Sequence, residues 1–178
     1  MSDNQLKSIA LKVKKLGEEV RRHLGCGFNE VIYQSALAIE FRKSKIEYLK
    51  EVNIEIFYKG ESLGVDRPDF LITRAGAYKD PILLELKVAD NISDGHRIQL
   101  KSYCKSLPKN NNPVLTDFSG GILMSFPSGD LEDCTKVKIF AVDSKFKVLI
   151  DDQAEEERLE DLLKQKEKEK AEKRKAKK

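Results

Sequence analysis

Histidine is nearly missing from this 178-residue chain, which holds only His23 and His96. Neither stands in a recognisable nucleophile elbow, so Ser-His-Asp and Cys-His hydrolase chemistry has no support, and a histidine-rich metal site is excluded by count. Cysteine is almost as scarce. Cys26, Cys104 and Cys134 are odd in number, widely spaced and without any C-x-x-C. They read as ordinary buried or half-buried thiols, not as a disulfide framework or a zinc knuckle. No apolar run approaches the roughly 20 residues that span a bilayer, and the polar amino terminus lacks a signal-peptide pattern. The expectation is a soluble intracellular protein, cytoplasmic or nuclear, with no membrane partner. Walker-type and G-x-G-x-x-G fingerprints are absent as well, so nucleotide binding has no support, and no internal repeat is found.

Charge is plentiful but unevenly placed. The formal net charge is +3, yet residues 164–178 carry nine Lys or Arg against three Glu, a net of +6, leaving 24 basic and 27 acidic residues in the body, a net of −3. Total charge therefore says little about a polyanionic partner, because a local groove matters more. Length and 40% hydrophobic content suit one domain over residues 1–150, followed by a charged helical or disordered basic tail over 151–178.

In chain order, Leu6, Ile9, Ala10, Val13, Leu16, Val20 and Leu24 recur at three- and four-residue steps and predict an amphipathic helix, with Ser2 or Asp3 as its N-cap. Gly25-Cys26-Gly27 reverses the chain, and a second helix follows from about Asn29 to Lys43. Val52 to Tyr58 alternates, turns at Lys59-Gly60 and returns through Ser62-Leu63-Gly64-Val65 as a hairpin. Ser93 caps a third helix that ends before Pro108. Lys109 to Pro113 reads as a surface loop. Gly120 to Phe126 is a continuous apolar strand of the kind buried on both faces, and Val137–Val142 and Phe146–Ile150 read as two more strands. Leu159, Leu162 and Leu163 give the charged tail a brief apolar stripe.

The centre of the sequence carries charge where buried strands should carry none. Pro81 to Val88 is a strand on which Ile82, Leu84, Leu86 and Val88 point one way while Leu83, Glu85 and Lys87 point the other. If Asp69 begins the preceding antiparallel strand, the short turn from Arg74 to Asp80 brings its carboxylate beside Glu85. Two carboxylates and an ammonium then share one cluster. Asp66 is a rival for the acid; Asp69 is preferred because it directly precedes Phe70-Leu71-Ile72.

Pro68-Asp69, fifteen intervening residues and then Glu85-x-Lys87 resemble the signature of the PD-(D/E)XK nuclease superfamily. Gly27-Phe28-Asn29-Glu30-Val31-Ile32-Tyr33 reads G-x-x-E-x-x-Y, and over about Ile9 to Phe126 the chain resembles the GxxExxY protein family of that superfamily. Glu30 and Tyr33 lie one helical turn apart and can face the same cluster. Arg67 matches the family's Arg-x-Asp run, and His96, Gln99 and Tyr103 resemble its His-x-x-Gln-x-x-x-Tyr helix.

The resemblance implies an α/β, restriction-endonuclease-like core: a central mixed sheet of four or five strands, with the two N-terminal helices on one side and the Ser93 to Leu107 helix on the other. It implies hydrolysis of a nucleic-acid phosphodiester, DNA before RNA. Crowded carboxylates raise one another's pKa, and a divalent cation keeps them ionised. Asp69 and Glu85 are therefore expected to ligate Mg²⁺ or Mn²⁺, with the Leu86 carbonyl and Glu30 completing the shell. Lys87 would orient the attacking water or stabilise charge, and Gln99, Tyr33, Tyr103 and Arg67 would hold substrate. Three further readings accompany this one: a catalytically inactive nucleic-acid-binding or scaffolding protein that keeps the fold, an adaptor acting through the charged tail, and a homodimer. The basic tail itself suits nucleic acid or an import factor.

Overall fold

Six strands form one mixed sheet in a computed structural model that describes residues 3–110, 112, 115, 117–129 and 134–175. In chain order the elements are α1 (Asp3–Leu24), α2 (Glu30–Lys43), β1 (Ile46–Lys50), β2 (Ile54–Tyr58), β3 (Glu61–Asp66), β4 (Phe70–Ala75), β5 (Ile82–Val88), α3 (Asp94–Ser106), β6 (Gly120–Phe126), β7 (Lys138–Asp143), β8 (Val148–Asp151) and α4 (Asp152–Lys175). The sheet runs β1-β4-β5-β6-β7-β8, with β5 and β6 parallel and every other pair antiparallel. The β2–β3 hairpin turns at Lys59-Gly60, as expected, but forms a separate two-stranded sheet.

The count of six corrects the expected four or five. The unpredicted member is β1, an edge strand whose Glu47, Leu49 and Lys50 are all exposed, so it lacks the apolar alternation that announces a strand. The helices lie as expected. Ile72, Ile82, Leu84, Leu86, Ile122 and Met124 pack with buried side chains of α1 and α2, including Val13, Leu37 and Phe41. Leu71, Leu83, Leu123 and Phe140 cluster with Leu100, Tyr103 and Cys104 of α3. Odd and even residues of β5 thus face different helices, which is the period of a pleated strand.

β6 is buried at all seven positions. Two glycines open it because neighbouring chain leaves no room: a Cβ on Gly120 would collide with the Val142 carbonyl oxygen, and one on Gly121 would lie 2.8 Å from Cys104 Sγ.

Four local readings are corrected. Cys26 and Cys134 form a disulfide with Cα atoms 5.8 Å apart, leaving Cys104 as a buried free thiol. Parity and spacing say nothing about which loops meet, and here the α1–α2 reversal meets the run leading into β7. Asp3 sits inside the first turn of α1 rather than capping it, and Ser2 lies outside the described residues. Phe146 adopts a left-handed φ of 64° in a turn, so the last strand begins at Val148. Asn110, expected in a surface loop, is buried: its side chain accepts from Glu55 N–H and donates to the Glu55 carbonyl, tying the hairpin to the end of α3. Asn111 and Pro113 of that loop lie outside the described residues. Among the described residues, no helix is long and apolar enough to cross a membrane.

Candidate active site

The start of α2 is set by backbone shape. Gly25 and Gly27 take φ of 77° and 87°, and the Asn29 side chain accepts from Ile32 N–H as the N-cap. Glu30 is consequently the first helical residue, half-buried, with its carboxylate at the positive end of the helix. Tyr33 turns into the core instead of toward substrate. It is fully buried, stacks on Phe126 with centroids 4.4 Å apart and donates to the Gly25 carbonyl at 3.0 Å, so its hydroxyl fixes the reversal that delivers Glu30.

Asp69 lies immediately before β4, which pairs with β5 in the register Phe70↔Leu84. This places its carboxylate against the far half of β5. Oδ2 accepts the Leu86 N–H at 2.6 Å, and Oδ1 accepts Gln34 Nε2 at 2.6 Å. Asp66, the rival acid, is exposed at the end of β3, where it accepts from Arg67 N–H. Gln34 was missed in the sequence. Its signal was a polar residue on the buried stripe with Leu37, Ala38 and Phe41, a position that requires a partner.

Glu85 is 4% exposed. Its Oε1 accepts Lys87 Nζ at 2.8 Å, while Oε2 is a buried oxygen with no hydrogen-bond partner. The protonation tendencies match this crowding. Burial, and then the charge of Glu85, raises Asp69 to about 7 against the pull of the Leu86 N–H. Burial also raises Glu85, opposed by Lys87. Burial lowers the Lys87 pKa, but the hydrogen bond it donates to Glu85 and the charges of Glu85, Glu30 and Asp69 together outweigh it, so the ammonium is held charged. The charge of Glu30 reaches Asp69, Glu85 and Lys87 alike.

The α3 side supplies polar neighbours. Gln99 Nε2 donates to the Tyr103 hydroxyl at 2.9 Å, and the charges of Glu85 and Asp66 both act on that buried tyrosine, whose pKa is pushed up to about 12 mainly by burial. His96 closes a capping box with Ser93; burial, then the Lys87 charge, lowers its pKa. Arg97 grips both Asp151 oxygens at 3.0 and 3.2 Å and holds α3 to the far edge of the sheet. Arg67 is exposed and donates to Asn53 Oδ1 at 2.8 Å, at the base of the hairpin. The structure thus brings Asp69, Glu85 and Lys87 together, with Glu30 in electrostatic reach and Gln99 and Tyr103 beside them. Arg67 stands apart.

The donor set fits a hard divalent cation. Two carboxylates meet here, one with an unpartnered buried oxygen, and neither is comfortable as a bare anion. Among the described residues no group of three or more Asp, Glu, His or Cys is gathered to hold a metal ion, and the acids buried together are Asp69 and Glu85. Such a pair suits Mg²⁺, which keeps several waters and takes one or two carboxylates plus substrate phosphate.

No curated protein matches the chain. A solved structure titled "Crystal structure of SSO0001" superposes with a TM-score of 0.41 at 16% identity, covering 75% of this chain and 61% of that one. The family model of the PD-(D/E)XK nucleases matches residues 7–133, a span that runs from α1 past β6 and holds every acid and base of the cluster. The chain belongs to the PD-(D/E)XK nuclease superfamily.

Proposed function

We propose that residues 1–150 form a divalent-metal-dependent nuclease that hydrolyses phosphodiester bonds, with DNA as the expected substrate before RNA. The observation that carries this reading is the buried, unpartnered Glu85 Oε2 beside Asp69 and the Glu85–Lys87 ion pair. A binding module has no use for a buried carboxylate oxygen left without a donor, whereas a cation site does.

Asp69 and Glu85 would hold Mg²⁺ or Mn²⁺, with the Leu86 carbonyl and Glu30 as the further donors the family resemblance implies. When bound, such an ion supplies Lewis-acid stabilisation of the charge that grows on the phosphate. The chain's own residues do the rest. The Leu86 N–H and Gln34 fix both oxygens of Asp69, so this carboxylate needs no reorganisation. Lys87, kept charged by Glu85, offers Nζ to the attacking water or to the developing charge. Gln99 and Tyr103 present an amide and a hydroxyl from α3 for phosphate or sugar oxygens.

The test is cleavage of labelled single- and double-stranded DNA and RNA with Mg²⁺, Mn²⁺ or EDTA, comparing the native chain with Asp69→Ala and Lys87→Ala. The expected outcome is metal-dependent cutting that falls at least ~100-fold in both variants, the loss typical of a removed charge-stabilising group. The lack, among the described residues, of any group of three metal-ligating side chains favours a second reading, a nucleic-acid-binding protein that keeps the fold without turnover. Binding that survives EDTA and both substitutions, with no cutting, would establish that one instead.

A further inference from the structure

Helix α4 leaves the body it grows from. Its first turn is fastened, since Asp152 accepts from Ile139 N–H and pairs with Lys14, each at 2.7 Å, and Lys138 reaches Glu156 at 2.8 Å. From Ala154 through Lys166 every residue is exposed, yet the helix continues to Lys175. At 1.5 Å per residue its 24 residues extend about 36 Å. A lone polar helix of this kind is marginal in water, and the ion pairs within it among the described side chains are loose, with Lys164 3.8 Å from Glu160 and 3.9 Å from Asp161.

Two features of the helix point to what covers it. Leu159, Leu162 and Leu163, spaced i, i+3 and i+4, form one apolar face and are 61%, 44% and 61% exposed. The sequence also divides its charge around them. Residues 152–163 hold six acids and one base, a net of −5, whereas residues 164–175 hold seven bases and three acids, a net of +4. The leucines sit at the junction.

From this pattern we infer that α4 is a homodimerisation element that pairs antiparallel with α4 of a second copy of the chain. A two-fold axis near Leu162 sets the leucines of both helices against one another and lays each acidic half along the partner's basic half. A parallel pair would stack acid on acid and base on base. Nucleic acid would suit the basic half alone: it repels the acidic half and offers the leucines no apolar surface. The self-paired arrangement uses the whole helix, and its charge pattern selects both partner and direction, as flanking charges do in coiled coils. Three leucines a side bury little area, so the dimer is a weak one whose association tracks concentration and salt.

Sedimentation velocity of the full chain, over a wide concentration range at low and high salt, tests this directly. The expected result is a reversible dimer that weakens as salt rises. Leu162→Lys should raise its Kd on the order of 10-fold or more, the penalty for placing a charge at an apolar interface core. It should leave thermal melting unchanged, because Leu162 already faces solvent. Direction is read by oxidative cross-linking of Glu156→Cys chains mixed with Lys166→Cys chains. Antiparallel pairing gives mostly mixed cross-links, and parallel pairing gives mostly like-with-like ones. A chain that stays monomeric at high concentration and low salt overturns the inference. So does a dimer indifferent to Leu162→Lys, or one that cross-links like with like. None of these readouts depends on cleavage.

Discussion

Asp69 is the residue whose environment asks most of it. With a pKa near 7 in the fold and near 3.8 in the unfolded chain, it is protonated in the native metal-free protein over a range where the unfolded chain has already released its proton. The native state then binds more protons at this site, so the contribution of Asp69 to stability is greatest below about pH 4 and is lost as pH rises through 7. The shift corresponds to roughly 4 kcal/mol at most, from 1.4 kcal/mol per unit, and Glu85 adds to it with the same sign. Urea unfolding in EDTA should show the native chain losing stability from pH 5 to pH 8 relative to Asp69→Asn, with saturating Mg²⁺ removing most of that loss. A difference of the opposite sign would mean that the carboxylate is content as an anion. The acids, the lysine and their order were legible in the sequence because strand alternation puts Glu85 and Lys87 on one side. Gln34 and the true place of Tyr33 were not, since both depend on how α2 rolls against the sheet. A helix start can be read from Asn29, but the roll of a helix is decided by partners such as Phe126 that are far away in the chain.

At the scale of the element, β6 shows how tightly the central sheet is built. Gly120→Ala would drive a methyl group into the Val142 backbone and Leu6, and backbone in a central sheet cannot step aside. Gly17→Ala meets Met124 Sδ at 2.7 Å and Cε at 3.0 Å, the flexible end of an adaptable side chain, with Val137 Cγ1 at an ordinary 3.4 Å. The first substitution should cost about 3 kcal/mol and the second about 1 kcal/mol or less, by overpacking, as measured by the midpoint of urea unfolding. Equal costs would show that the β6–β7 backbone can spread. β6, β5, α1 and α3 were all legible because each has a clear period or a continuous apolar run. β1 was not, for an edge strand with three exposed residues in five has nothing periodic to show. The hairpin was found but assigned no place, because alternation shows that strands pair and not which sheet they join.

Across the whole molecule, the Cys26–Cys134 bond closes a loop over a sequence separation of 108, ahead of α2 at one end and ahead of β7 at the other. Cross-linking so long a segment restricts the unfolded chain strongly, by about 2–4 kcal/mol in typical cases. Cys134→Ser, or dithiothreitol acting on the native chain, should lower stability by that amount, and the two treatments together should do no more than either. A native chain unmoved by reductant would show that the link contributes nothing. The same end of the molecule holds the reversal that presents Glu30, so the proposed cleavage should be assayed with and without reductant. The sheet order has a consequence for synthesis as well. From β5 onward each strand pairs with the one made just before it, so this part of the sheet can be laid down in the order in which the ribosome delivers it. Glu30, Asp69, Glu85 and Lys87 have all emerged once β5 is out, and β6 completes their support at Phe126. A nascent chain stalled at that point would carry every acid and base of the site on an open sheet whose last strand, buried at all positions in the finished protein, is paired with β5 on one edge and unpaired on the other. Stalled chains of this protein should therefore aggregate through β6 rather than cut, and β7 is the strand that turns a sticky intermediate into a closed domain.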